Sequence, residues 1–249
     1  SMGERTRSFL KIQDGCDYNC SYCTIPLARG RSRSSSISKT LSQAIEIGKT
    51  DIKEIVLTGV NVGDFGVNRN ENFYNLIQEL AKIDGIDRYR ISSIEPNLIT
   101  DEIINFTAIS NKFLPHFHIP LQSGSDAILK AMRRRYNTKL YADRVQKIKS
   151  IMPYACIGVD VIVGFPGESD DHFQQTYDFL DGLDISYLHV FSYSMRNNTE
   201  AVLMNNKVPQ DIISERSKML HRLSIVKKWN FCKNNINSVK QVLIENFEE

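Results

Sequence analysis

The sequence predicts an α/β fold, an incomplete (β/α)6 TIM-like barrel of parallel strands, and three observations carry that expectation. β-like apolar runs alternate with helical ones six times along the chain. Each intervening segment is long enough for a right-handed crossover between parallel strands. Runs such as EIVLTG (54–59) and IGVDVIVG (157–164) are apolar on both faces, as strands covered on both sides must be. Six units fit an incomplete barrel better than the eight-unit form, and a doubly wound open sheet is the alternative. A length of 249 residues suits one such domain, and 41% hydrophobic residues supply a sizeable core.

In chain order, FLKIQ (9–13) is the first strand, followed by a cysteine-bearing loop and a helix near 39–49. EIVLTG precedes a helix near 73–83, and RYRISSI (88–94) precedes TDEIINFTA (100–108), where Thr100 is the expected N-cap. HFHIPL (116–121) leads into SDAILKAMRRR and a longer helix near 138–150. CIGVDVIVG (156–164) leads into a helix near 169–181, and ISYLHVFSY (185–193) into one near 210–232. SVKQVLIENFEE (238–249) breaks this rhythm by alternating apolar and polar residues. One strand cannot be a domain, so it is read as a capping strand or as the opening of a further domain.

Composition excludes several classes. No apolar run approaches the roughly 18 residues of a membrane span, and the net charge of +2 favours no partner by itself. Basic residues cluster locally at RGRSRS (29–34), RRR (133–135) and through 216–233, where a solvated face is the plain explanation. The opening SMG resembles a cloning remnant rather than a signal peptide. With five cysteines and no secretory signal, the reducing cytoplasm is the expected compartment. No G-x-G-x-x-G, Walker or H-E-x-x-H pattern supports a nucleotide fold or a zinc protease.

Cys16, Cys20 and Cys23 stand within eight residues. A disulfide would leave one thiol over and conflicts with the compartment. Structural zinc wants four ligands, and His116, His118 or His189 would have to supply the fourth through the fold. Iron–sulfur clusters select thiolates; three of them would leave one iron of a four-iron cluster free for another ligand. The loop also follows the first strand, on the rim where barrel active sites sit. Cys156 and Cys232 are read as buried small hydrophobes.

The spacing Cys16-x3-Cys20-x-Tyr22-Cys23 resembles the radical S-adenosylmethionine superfamily. DGCDYNCSYCTIPLARGRSRS, LTGVNVGDFG, RISSIEP, HIPLQSGSDAILKAMRRRY, VDVIVGFPGES and FSYSMRNNTEA then fall in order, one per strand end. Together they resemble the radical methylthiotransferases, from about residue 6 to the end. RISSIEP and MRRRY are most similar to the branch acting on N6-threonylcarbamoyladenosine in tRNA. The resemblance implies a [4Fe–4S] cluster on Cys16, Cys20 and Cys23, with S-adenosylmethionine chelating the free iron and yielding a 5′-deoxyadenosyl radical on reduction. A ribosomal-protein aspartate branch and a non-catalytic zinc-stabilised RNA-binding module are the competing readings.

The resemblance also implies roles. Gly59 and Asn61 lie at the strand end near the cofactor's methionyl amine, and Ser93 and Glu95 are hydrogen-bond partners of the cofactor. Gln122 and Ser123 occupy the next exit, where a helix N-cap is the plainer role for the serine. Asp160 either faces the barrel interior and the cofactor or pairs structurally; Tyr22 either touches adenine, as the GFPGE turn would, or is a packed aromatic. Arg29, Arg31 and Arg33, and the 133–135 run, suit RNA phosphates, while Arg196 and Thr199 suit the modified base. Asn198 stands where the family often has glycine.

The expected division is a remnant and linker at 1–5, a radical core at 6–234 and the start of a truncated C-terminal RNA-binding β-barrel at 235–249. Expected partners are a tRNA anticodon stem-loop and a flavodoxin-like electron donor, with the chain a monomer and no membrane contact. The full-length relatives of this resemblance carry a second, auxiliary [4Fe–4S] cluster upstream. This chain is therefore expected to bind and cleave its cofactor but not to methylthiolate tRNA alone.

Overall fold

The computed structural model describes residues 6–244. Six parallel strands run in chain order: β1 (Arg7–Lys11), β4 (Glu54–Thr58), β5 (Arg88–Ile91), β6 (His116–Gln122), β7 (Cys156–Val163) and β8 (Tyr187–Ser192). The short β2 (Gln13–Asp14) and β3 (Arg33–Ser34) form a separate antiparallel pair. β1, β4 and β5 make one parallel ladder and β6, β7 and β8 another. Parallel bridges Tyr89–Phe113 and Ser93–His118 join the two. The order never reverses, which rules out the doubly wound alternative. Among the described residues no ladder joins β8 to β1, so the barrel is open along that seam.

Between strands stand α2 (Ile37–Gly48), α3 (Phe73–Leu80), α4 (Asp101–Ile109), α5 (Asp126–Ala131), α6 (Thr138–Ile151) and α7 (Asp170–Gly182), with α8 (Gln210–Lys233) last. Their starts are set by side-chain oxygens that accept otherwise orphaned N–H groups: Ser36 from Lys39, Asn72 from Asn75, Thr100 from Ile103, and Asn137 from Leu140. Ser169 and His172 cap α7 reciprocally. None of the described helices is long and apolar enough to cross a membrane.

Side-chain alternation sorts the sheet's two faces. On β7, Ile157, Val159, Val161 and Val163 are fully buried under the helices, while Asp160 and Ile162 stand on the half-open lumen face. At the opposite end of the lumen, Glu54 is fully buried, with Arg7, Arg88 and Arg90 within 3.7, 3.1 and 3.7 Å. A charge this deep is tolerable only among such partners.

Four local features depart from expectation. A short helix, α1 (Ile25–Arg29), stands inside the cysteine loop. α5 stops well before the end of the MRRR run, because Arg133 takes a left-handed φ of 59°. The N–H of Arg133 bonds the Lys130 carbonyl at 3.0 Å and that of Arg134 the Leu129 carbonyl at 2.9 Å, a Schellman ending. The expected C-terminal strand is absent from the described part of 235–249, and residues 245–249 lie outside the described residues, as do 1–5. Val239, Val242 and Ile244 are exposed, their spacing does not keep one face of a strand, and the segment touches β5 through Arg88, which donates to the Gln241 carbonyl at 3.2 Å. Cys232 is also exposed on α8 and Cys156 only half-buried, against the expectation that both are buried.

The GFPGE turn leaving β7 is locked by charge. Glu168 accepts the Gly164 N–H at 3.0 Å and pairs with buried Arg216 of α8 at 2.6 Å. Replacing Glu168 with alanine removes the buried carboxylate and leaves Arg216 only exposed Asp170 at 2.7 Å and the residue-168 carbonyl at 3.1 Å, and urea unfolding should show a loss of about 3 kcal/mol.

Candidate metal centre

The cysteine loop leaves β1 through Gln13, whose side chain is 1% exposed. Its Nε2 donates to the Gly15 carbonyl at 2.8 Å and to Ser32 Oγ at 3.0 Å. Its Oε1 accepts the N–H groups of Val60 and Asn61 at 2.9 and 3.0 Å. One carboxamide thus ties both ends of the loop to the exit of β4. Gly59 serves the same contact, since a Cβ there would stand 3.0–3.1 Å from Gln13. Gly15 has φ +71°, and a Cβ on it would sit 2.1 Å from the Arg31 carbonyl oxygen, so only glycine closes the loop. On the far side, Ser21 donates to the Ala131 carbonyl at 2.8 Å, and its carbonyl accepts the Ala201 N–H at 2.8 Å.

Each of the three sulfurs in this frame has an N–H donor. Tyr18 N–H points at Cys16 Sγ at 3.3 Å, Ile25 N–H at Cys23 Sγ at 3.5 Å, and Arg134 Nη1 at Cys20 Sγ at 3.1 Å. Burial pushes the free Cys16 thiol up to about 11 and raises Cys20 as well, with the Arg134 charge opposing the latter. Among the described residues, only His118, Asp160 and His189 bring three ligand atoms within 4.8 Å of one another. The cysteine sulfurs are therefore too far apart for one tetrahedral zinc, whose sulfurs lie roughly 3.8 Å apart at a 2.3 Å bond length. His118 and His189 are engaged by Asp160, and His116 by the Tyr187 hydroxyl. Wider sulfurs with N–H donors suit a larger, thiolate-held cluster.

Arg134 is the centre of the arrangement. Its side chain is 5% exposed, forms a close ion pair with Glu95, donates to Tyr136 Oη at 3.1 Å and reaches Tyr22 Oη at 3.4 Å. Tyr136 in turn donates to the Pro120 and Leu121 carbonyls at the end of β6. Burial raises the Glu95 carboxyl and Arg134 pulls it down; its second oxygen is buried without a partner. Asn61 Oδ1 accepts the Glu95 N–H at 3.2 Å, and its amide donates to Asp64 at 3.0 Å. Cys20, Tyr22, Asn61 and Glu95 are thus gathered in one network. Arg134 does not serve as a surface cation for phosphate.

The remaining expected residues fall in several places. Ser93 sits at the β5 exit, in the bridge to His118. Gln122 has φ 70°, just past an irregularity in the β6 ladder, a bulge that re-aims the strand end. Ser123 is fully buried and bonded to Thr176 and to the Ser125 N–H. Asp160 faces the lumen and meets His118 and His189. Tyr22 packs edge-on against Phe165 of the GFPGE turn. Arg29 and Arg33 pair with Asp14 at 3.2 and 2.8 Å, and Arg31 with Asp17 at 3.4 Å, all on the surface. Arg196 lines a cleft of about 330 Å³ together with Cys23 and Tyr22. Thr199 is buried and donates to the Arg196 carbonyl at 2.7 Å. Asn198 keeps the turn by adopting φ 63°, a conformation asparagine tolerates.

Sequence reasoning missed Gln13 and the inward turn of Arg134. A polar residue closing an apolar strand directly before the cysteines was the available sign for Gln13; nothing local separates Arg134 from its two neighbours. Gln13→Leu orphans two backbone N–H groups, each costing about 1–3 kcal/mol. Limited proteolysis should then cut within residues 14–34 faster than in the unchanged chain.

The chain resembles known proteins as follows. The model of the radical SAM superfamily matches residues 10–180. The threonylcarbamoyladenosine tRNA methylthiotransferase MtaB of Bacillus subtilis is 42% identical over 244 residues, covering 97% of this chain and 54% of that protein. The Aquifex aeolicus protein of the same name is 40% identical, covering 97% and 59%. The chain therefore spans little more than half the length of these relatives. Among solved structures, the radical S-adenosylmethionine methyltransferase TsrM of Kitasatospora setae has a TM-score of 0.66 at 15% identity, covering 78% of this chain and 38% of that one. Coproporphyrinogen III oxidase (HemN) of Escherichia coli has a TM-score of 0.62 at 13% identity, covering 91% and 53%. These two likenesses concern the fold.

Proposed function

Because this chain belongs to the radical SAM superfamily, we propose that it is the catalytic core of a tRNA methylthiotransferase acting on N6-threonylcarbamoyladenosine beside the anticodon. The observation that carries this reading is the set of three N–H-supported sulfurs at the strand-exit rim. The similarity to the two MtaB proteins supports the substrate.

Cys16, Cys20 and Cys23 hold a [4Fe–4S] cluster in this reading, and S-adenosylmethionine binds beside it. Together these groups supply, when bound, a one-electron route to hydrogen abstraction from an unactivated C–H bond. The protein's share is positioning. Glu95, with its partnerless buried oxygen, and Asn61, Ser93 and Gln122 offer polar groups to the cofactor from successive strand exits. Tyr22, against Phe165, borders the cofactor's adenine. Gly59 and Ser123 act indirectly, by seating Gln13 and the turn after β6. Arg196 meets the modified base in the cleft beside Cys23, Thr199 fixes its turn, and Arg29, Arg31 and Arg33 offer charge to phosphate.

Anaerobic reconstitution should load about four iron and four sulfide per chain. Reductant and S-adenosylmethionine should then give 5′-deoxyadenosine, and Cys20→Ala should abolish both. One bound zinc with no 5′-deoxyadenosine would overturn the reading. The enzyme should add a methylthio group to tRNA carrying N6-threonylcarbamoyladenosine. Modification of a ribosomal-protein aspartate instead would move it to the other branch.

Arg134 places a buried positive charge against Cys20 and so favours the more negative, reduced cluster. In the fraction that loads four irons, Arg134→Gln should lower the midpoint potential of the cluster in an EPR-monitored redox titration.

A further inference from the structure

The lumen face of β6, β7 and β8 carries a second group of metal-ligating side chains, set in mid-strand rather than in the cysteine loop. His118 Nε2 lies 2.7 Å from Asp160 Oδ1, and His189 Nδ1 lies 3.1 Å from the same oxygen. The three ligand atoms fall within 4.8 Å of one another. We propose that His118, Asp160 and His189 form a separate site for a single divalent ion of the zinc class.

Three features carry this assignment. The first is rigidity. Asp160 is paired in register with Pro120 on one side and with His189 on the other, so the ligands come from three adjacent strands of one ladder rather than from loops. The second is support from below. The residue opposite His118 is Gly158, and a Cβ there would stand 2.4 Å from the Tyr187 ring. That ring fills the space, lies 5.1 Å from the His189 ring between centroids, and is held through its hydroxyl by His116 Nε2 at 3.3 Å.

The third is the donor set. Two imidazole nitrogens and one carboxylate oxygen suit borderline divalent ions, and three protein ligands leave a further position open. Without an ion, both rings must turn an N–H to one carboxylate oxygen. A divalent ion binds the other tautomer of each ring, the proton moving to the far ring nitrogen, so that both facing nitrogens and the carboxylate offer lone pairs together. The side chains of His118, Asp160 and His189 are 18%, 19% and 48% exposed, so an ion can enter from the lumen and keep a water or an oxygen-bearing ligand.

The test uses the chain after anaerobic cluster loading, dialysed against zinc chloride, with iron and zinc counted and the zinc K edge recorded. The expected result is one zinc per chain at unchanged iron content, in a nitrogen and oxygen shell at about 2.0–2.1 Å with imidazole scattering. Asp160→Asn and His189→Ala should each raise the zinc Kd by about tenfold or more. His189 is half-exposed, so its variant should keep the wild-type circular dichroism and iron content. Less than stoichiometric zinc, a shell with sulfur at about 2.3 Å, or both variants binding as tightly as the original chain would each overturn the proposal.

Discussion

Arg134 is a cation taken almost wholly out of water, and such a group is tolerable only if its N–H donors are met. Removing an ion from solvent costs several kcal/mol even after relaxation. Here Glu95, Cys20, Tyr136 and Tyr22 receive those donors, and they come from the β5 exit, the cysteine loop and the chain beyond α5. The guanidinium therefore fixes three separate strand exits relative to one another. Displacing any of them leaves a buried charge without its acceptor. The positions of Cys20 and Glu95 follow from that demand as much as from the backbone that carries them.

The same separation of polar from apolar runs through the barrel. Alternation along β7 sends Ile157, Val159, Val161 and Val163 outward to the helices and leaves Asp160 and Ile162 to the lumen. Three arginines surround Glu54 at one end of that lumen, while the carboxamide of Gln13 and the sulfurs occupy the other. A lumen lined in this way is costly unless each polar group finds a partner or a ligand. Gln13 and the sulfurs are met by hydrogen bonds within the chain, whereas both Glu54 oxygens and the Nε groups of Arg88 and Arg90 rely on charge alone. Glu95 keeps one oxygen unmet at the rim, where a ligand would be received.

Much of this was legible in advance, because it is written in periodicity and spacing. The six strands were readable from runs such as EIVLTG, and their parallel pairing from the length of the crossovers. Thr100 was readable as a cap because a threonine precedes a helical pattern. The cysteine spacing marked the centre. What escaped depends on contacts between distant residues. Gln13 bonds Val60 and Asn61, and Arg134 bonds Cys20, across separations that no local pattern encodes. The segment 239–244 misled in the opposite direction, since its apolar residues only loosely follow a period of two and no described strand pairs with it. Alternation reports what a segment is able to do, and pairing decides whether it does so.

The Schellman ending of α5 gives the three successive arginines unequal claims on their codons. At 133 the chain requires a left-handed backbone and only incidentally a cation, since the side chain reaches no deeper than a surface pair with Glu200. Glycine or asparagine would satisfy that position, whereas valine, branched at Cβ, would be refused. At 134 the reverse holds: the guanidinium is indispensable, and lysine, with one point charge, is no substitute for a planar fork. Drift among homologues should therefore vary the first of these three positions among residues that accept a left-handed backbone and leave the second untouched.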